Sequence, residues 1–363
     1  MKRDDGFSSI ISEQADRQFR ELLTREAREA ASAGVWQQEL WSTLEESALS
    51  LALVPEDHGG VGLGADDAFE LVRLSGYRGL PLPLGDTMLA KALWCAAGGE
   101  LELAGDRPML LASCAAGVPA FLQEAPGGWC VSGTTEPVGF GDVAASLLLQ
   151  ARSEQGEDFL LLLDAQSLAR ERCVAPAFEA QCAFRLDRVA VPTARCVRWK
   201  PRDPLALHAH GALLRSLQMV GAMQRSLELG LQYAGERAQF GKTIARFAPV
   251  QDMLVEAAAE TAAAVSAAGL ALQHWQPECA EDSVFCIAAA KSRCGEAAGK
   301  VAALIHQVHG AIGFTQEHVL HQYTRRLWAW RDDFGSESFW NRWLGEQVCS
   351  APGGELWPRI AGI

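Results

Sequence analysis

The chain has 363 residues, 49% hydrophobic and 21% charged, with a formal net charge of −13. That length is enough for two or three domains around a large core. So acidic a balance excludes a nucleic-acid-binding face, which needs clustered Lys and Arg against phosphates, but not a local basic pocket for a phosphate-bearing cofactor.

Met1 to Ser9 has neither an apolar core nor a small-residue cleavage pattern, so no signal peptide is expected. No apolar run approaches the ~20 residues of a membrane-spanning helix. The ten cysteines are scattered singly, without a CxxC pair, and several lie among Ala, Val and Phe. They read as buried reduced thiols of a cytoplasmic protein.

Three regimes of periodicity follow in chain order. From about Phe7 to Gly99 the pattern is mainly helical: Phe19-Leu22-Leu23 and Trp36-Leu40-Leu44 recur at spacings of three and four. Loops interrupt them at Pro55 to Gly60 and Pro81 to Leu84, and Asp66 and Asp67 stand where a helix N-terminus favours negative charge. Residues 106–204 alternate short apolar runs (Met109 to Ala112, Ala145 to Leu149, Phe159 to Leu163, Val189 to Val191) with turn residues, which predicts strands. No G-x-G-x-x-G follows a strand, so a Rossmann site is not expected. From about Leu205 to Cys349 the chain is helical again and rich in alanine, with Gly295 and Gly299 suited to close helix approach, and Ala351 to Ile363 reads as a tail.

Two segments of the last regime carry chemistry. The first is Glu236-Arg237-Ala238-Gln239-Phe240-Gly241-Lys242-Thr243-Ile244, followed by Phe247. The second is Gln307-Val308-His309-Gly310-Ala311-Ile312-Gly313-Phe314-Thr315. Taken singly, Arg237 reads as a solvated helix-end charge and the glycines as helix caps. Together, in this order and after a β region, they resemble the signature segments of the acyl-CoA dehydrogenases; Val54-Pro55-Glu56 with Gly59 to Gly62 adds an N-terminal loop similar to theirs.

The resemblance implies an α+β multidomain fold: an N-terminal helical domain (1–105), a middle β-barrel (106–204) and a C-terminal four-helix bundle (205–363). It implies FAD across a dimer interface, an acyl-CoA substrate, and tetramers built from pairs of dimers. Arg237, Gln239, Phe240, Phe247, Gln307, Gly310, Ala311, Gly313 and Ser336 would then contact the cofactor, most of them in the neighbouring subunit's site. Arg237 offers a fork of donors to a pyrophosphate and the glycines a close backbone approach.

The family's reaction needs a carboxylate to remove the substrate's α-proton while the β-hydrogen leaves as hydride. Counting from Gln307 puts Phe334 at the usual glutamate position, in Asp333-Phe334-Gly335-Ser336. Counting back from Phe240 puts Gly211 at the family's alternative position, in His208-Ala209-His210-Gly211. The remaining candidates are His210, which reads as a helix-start histidine near the surface, and Asp333, one residue off register and turned by some 100° if helical.

The β region departs too. Thr135-Glu136-Pro137-Val138-Gly139-Phe140-Gly141-Asp142 looks like the family's first flavin segment. It directly follows Gly128 to Gly133, which instead resembles the strand before the later Trp-Ile-Thr segment. On that preferred register Pro137 replaces the Trp and Gly139 the Thr, and the earlier segment shrinks to Ala112 to Gly117.

His306 and His309, like His318 and His321, stand three apart, but no third ligand accompanies either pair and no metal is expected. No nucleophile elbow supports Ser/His/Asp catalysis. The favoured reading is a heterotetramer subunit that lacks the Glu base and completes the FAD site of a catalytic acyl-CoA dehydrogenase partner. A self-sufficient homo-oligomer with a relocated base, and a non-enzymatic acyl-CoA-binding scaffold, are the alternatives.

Overall fold

A computed structural model describes residues 5–350, with side chains from Ile11 onward. The expectations placed on the first residues and on the Ala351–Ile363 tail fall outside the described residues. Five helices come first: α1 (Asp5–Leu22), α2 (Arg25–Ser32), α3 (Gln38–Glu46), α4 (Ala65–Arg78) and α5 (Leu84–Ala96). Asp66 and Asp67 do occupy the first turn of α4, and Gly79, at φ 64, closes it. α5 is buried almost throughout. Even Lys91 is inside, its Nζ 3.2 Å from Glu45 and 3.0 Å from Ser50.

The strands are β1 (Met109–Ala112), β2 (Ala120–Ala125), β3 (Gly128–Thr134), β4 (Val138–Gly139), β5 (Ser146–Ser153), β6 (Asp158–Asp164), β7 (Ala169–Cys173), β8 (Gln181–Pro192) and β9 (Cys196–Arg198). They form one sheet in the order β4-β8-β3-β2-β5-β6-β9, with β1 on β5 and β7 on β8. Just past β1, Cys114 bridges Thr135 between β3 and β4, so the sheet curls back on itself. Strand alternation divides its two faces. Leu111, Leu148, Leu160 and Leu162 pack with the helices, while Leu110, Leu147, Leu149 and Leu161 fill the sheet's own core.

The C-terminal region holds α6 (Ala206–Glu236), a hairpin of β10 (Ala238–Gln239) and β11 (Lys242–Thr243), α7 (Ala248–Gln273), α8 (Glu281–His309), α9 (Leu320–Asp332) and α10 (Glu337–Ser350). α6 to α9 pack as a bundle, with α10 against α8. Gly76 and Gly221 let α4 and α6 touch backbone to backbone: a Cβ on either would collide with the carbonyl of Gln218 or Arg73. Gly295 and Gly299 behave differently from expectation. They make room for side chains, the Glu337 and Arg331 of an ion pair with Nε–Oε1 2.6 Å, rather than for a neighbouring backbone.

α7 is, by length and composition, apolar enough to cross a membrane, with a mean hydropathy of 1.3 over its most apolar window. The absence of a long unbroken run of large apolar residues had hidden it, because alanines supply much of its hydropathy. One face, including Leu254, Ala257, Ala264 and Ala268, is buried in the protein beside α6 and α8. Six of the ten cysteines are buried, and Cys349 is exposed.

Candidate functional site

The two positions at which sequence comparison looked for a carboxylate meet in space. α9 stops at Asp332; Asp333 turns out of the helix (φ −59, ψ 131), Phe334 takes φ 54 and Gly335 φ 90 before α10 begins. This turn lays the Phe334 ring on Gly211, in the second turn of α6, so closely that a Cβ at Gly211 would overlap the ring. The turn is fixed from three sides. Trp340 Nε1 donates to the Phe334 carbonyl at 2.9 Å, and Lys291 Nζ donates to the carbonyls of Arg331 (2.6 Å) and Gly335 (2.7 Å). His208, whose ring centroid is 6.0 Å from that of Phe334, has its Nδ1 2.9 Å from Ser113 Oγ.

Ser113 belongs to the shortened Ala112–Gly117 segment, which lies directly beside Thr135 to Gly139. Glu136 N donates to Ser113 O at 2.8 Å, and Ala116 N donates to Glu136 Oε1 at 3.2 Å. Between these two segments, Arg215, Asp333 and Phe334 there remains a cavity of about 10 Å³. That is about the room for one water. The space left there is smaller than a flavin ring or a thioester.

The polar groups around the cavity are committed to one another. Arg215 Nη1 and Nη2 donate to Asp86 at 2.9 and 3.1 Å, Nε to Asp333 Oδ2 at 2.9 Å, and Nη1 also to Gln218 at 2.7 Å. Gln181 Nε2 reaches the other Asp333 oxygen at 3.1 Å. Burial opposes the charge on Arg215, but Asp86 and Asp333 beside it hold its proton more firmly than usual. One guanidinium faces two carboxylates, and burial pushes Asp333 up to about 6 with Arg215 only partly offsetting it. Burial also raises Glu136.

Asp333 therefore does lie at the cavity. The 100° offset fails because the helix has already ended, and both its oxygens are occupied. His210 corrects a second expectation: it is fully buried, not near the surface. Trp275 Nε1 donates to its Nδ1 at 3.0 Å, so Nε2 carries the proton and donates to the Pro277 carbonyl at 3.1 Å. Burial pushes its pKa down to about 4, leaving it neutral and without a free lone pair for a substrate. Arg215 and Asp86 were passed over; the available signal was a lone arginine inside the apolar run Ala212 to Met223. Glu136 was read only as part of a flavin segment.

A second site forms at the other end of α6. Phe240 and Gly241, at φ 51 and 77, make the two-residue turn of the β10–β11 hairpin. Phe240 is 90% exposed, an aromatic held in a conformation that disfavours large side chains, its ring edge-on to Phe247 at 6.2 Å. The Tyr233 ring stacks on His309 at 4.7 Å, bringing the Arg237 and Gly310 segments to one end of the bundle. Gly310, at φ 62 and ψ −144, adopts a backbone that only glycine takes readily, and a Cβ there would meet open space. Ala311 is exposed and Gly313 buried. Arg237, Gln239 and Gln307 are exposed, and none of their side chains has a polar partner among the described residues. This donor-rich surface has the chemistry and the open space for a pyrophosphate-bearing group.

Ser336, grouped with these residues in the sequence, stands instead beside Phe334, its Oγ 2.9 Å from Ser338 Oγ. The two sites are separated by most of α6, whose 31 residues span roughly 46 Å at the helical rise. No single FAD reaches from one to the other. Among the described residues, no three His, Cys, Asp or Glu side chains converge as a metal site.

Residues 206–331 match the family model for the acyl-CoA dehydrogenase C-terminal domain. Acyl-CoA dehydrogenase IpdE2 of Mycobacterium tuberculosis is 29% identical over 82% of this chain and 82% of its own. Among solved structures, the ChsE4-ChsE5 complex from Mycobacterium tuberculosis superposes with a TM-score of 0.86 at 22% identity, covering 97% of this chain and 100% of that one. The Tcur3481-Tcur3483 steroid ACAD gives 0.83 at 23% identity, covering 94% and 97%.

Proposed function

We propose that this chain, similar to the acyl-CoA dehydrogenases over its C-terminal domain and to IpdE2 over most of its length, works in acyl-CoA oxidation as a subunit that completes a partner's FAD site and leaves the dehydrogenation to that partner. The observation that carries this reading is the split between its two sites. The one at Phe334 is filled to about 10 Å³ by the chain's own side chains. The one at Arg237 and Gly310 is open, lies too far off to serve the same FAD, and presents unpaired donors outward.

Bound in the partner, FAD supplies the hydride acceptor. This chain's contribution is binding: Arg237 and the backbone amides around Gly310 to Gly313 hold the pyrophosphate half, while Phe240 and Phe247 cover apolar surface next to it. A basic residue there neutralises the phosphates without taking part in proton transfer. The acyl group belongs to the partner's pocket, and the superposition on a steroid ACAD makes a ring-bearing acyl-CoA a sensible first substrate. Expression of the chain alone and with the acyl-CoA dehydrogenase encoded nearest to it, followed by acyl-CoA-dependent dye reduction, tests the reading. Activity in the co-purified assembly alone is expected; full activity from this chain by itself overturns it, and inactivity in both preparations points to a scaffold.

A further inference from the structure

A cavity of about 490 Å³ opens between α2, the loop that joins β7 to β8, and the junction of α8 with α9. It shares no lining residue with the closed site at Phe334 or with the Arg237 hairpin. One wall is a ladder of near-parallel rings: Phe314 lies 4.2 Å from His306 at 18°, and His306 lies 6.0 Å from Trp328 at 17°. Thr324 Oγ1, 2.8 Å from His306 Nε2, sets the plane of the middle ring. Beside this wall Arg325 lies over the Phe178 ring, 3.9 Å from its centroid, with Nε donating to the Pro176 carbonyl. Among the described residues no carboxylate pairs with Arg325, and the one carboxylate in the lining, Glu29, is held by Arg25 at 2.7 Å.

The volume is that of a small-molecule site. The rings stack on one another, which covers His306 and leaves the outer faces of the end rings Phe314, 70% exposed, and Trp328 for stacking, and Arg325 offers guanidinium N–H groups left over from its bond to Pro176. We propose that this cavity binds a planar aromatic ring bearing an anionic group, the ring on the Trp328–His306–Phe314 wall and the anion on Arg325. A purine nucleotide and an aromatic carboxylate share that chemistry. The inference is independent of the FAD reading, because the chain can carry this site whether or not it completes a partner's cofactor.

Calorimetric titration of the full chain with adenosine 5′-monophosphate and with 2-naphthoate tests it and separates the two sources. Adenosine and inorganic phosphate supply the ring and the anion alone. At least one of the two probes should bind saturably and more tightly than either control. Trp328→Leu and Arg325→Gln should each weaken that binding by about tenfold or more. The side chain of Arg325 is partly exposed, so Arg325→Gln keeps the test meaningful even if Trp328→Leu lowers the melting temperature. Absence of saturable binding by both probes at millimolar concentration, or unchanged binding by both variants, overturns the proposal. So does failure of both variants to assemble with the partner subunit while the wild-type chain binds neither probe, which would assign the cavity to protein docking.

Discussion

Phe334 and Gly211 stand at the two positions where the resemblance looks for a carboxylate, and they pack on each other. Each is unremarkable alone, but the ring fills the space that the missing Cβ leaves. Gly211→Ala should therefore overpack the turn and cost about 1–3 kcal/mol, and Phe334→Ala about 3–5 kcal/mol through the void it opens. The double variant should lose clearly less than the sum, and urea denaturation of the four proteins measures that coupling. Asp333 gives a second prediction at this scale. Its folded pKa of about 6 lies above the usual 3.8, so the native state holds this proton more tightly than the unfolded chain does. Its contribution to stability falls as pH rises between those values and is level above them. Asp333→Asn should remove that fall, which thermal melts across the interval will reveal. Glu136 lines the same cavity and forms no ion pair among the described residues; Glu136→Gln should leave the assembly's dye-reduction rate unchanged, and a collapse in rate would revive a relocated base.

Among the elements, helices and strands followed from periodicity because burial on one face writes itself into the sequence at spacings of 3.6 and 2. Met109 to Ala112, Phe159 to Leu163 and the alanine-rich α7 and α8 show it plainly. Helix ends were harder. Asp333 looked helical because nothing local announces that Lys291, distant in sequence, takes the carbonyls of Arg331 and Gly335 and stops α9 there. His210 looked exposed because its partners Trp275 and Pro277 arrive from the distant loop between α7 and α8. The Arg237 segment was picked out through its resemblance inside a region read as helical; the structure adds that it is a hairpin and that its donors are exposed and unpaired. Arg237→Ala should leave the melting temperature of the chain unchanged and reduce flavin retained by the assembly about tenfold, the loss of a charged hydrogen bond. At the α4–α6 crossing the opposite holds: Gly221→Ala pushes a methyl into the Arg73 carbonyl and should lower the melting temperature sharply by forcing two helices apart.

For the molecule as a whole, the proposed function assigns unlike roles to its two sites. α6 carries a plugged site near its start and an open cradle at its end. On the proposed reading, a homo-oligomer of this chain would bring an open cradle to a flavin position where only about 10 Å³ is left. A partner with an open flavin position would remove that conflict, so the proposed heteromeric role rests on this small cavity as well as on the residue at position 334. The most direct test is the flavin content of the purified proteins, with FAD counted per chain. The chain expressed alone should carry essentially none, and the co-expressed assembly should hold one FAD for each pair of unlike subunits. Stoichiometric FAD on the chain alone would contradict this.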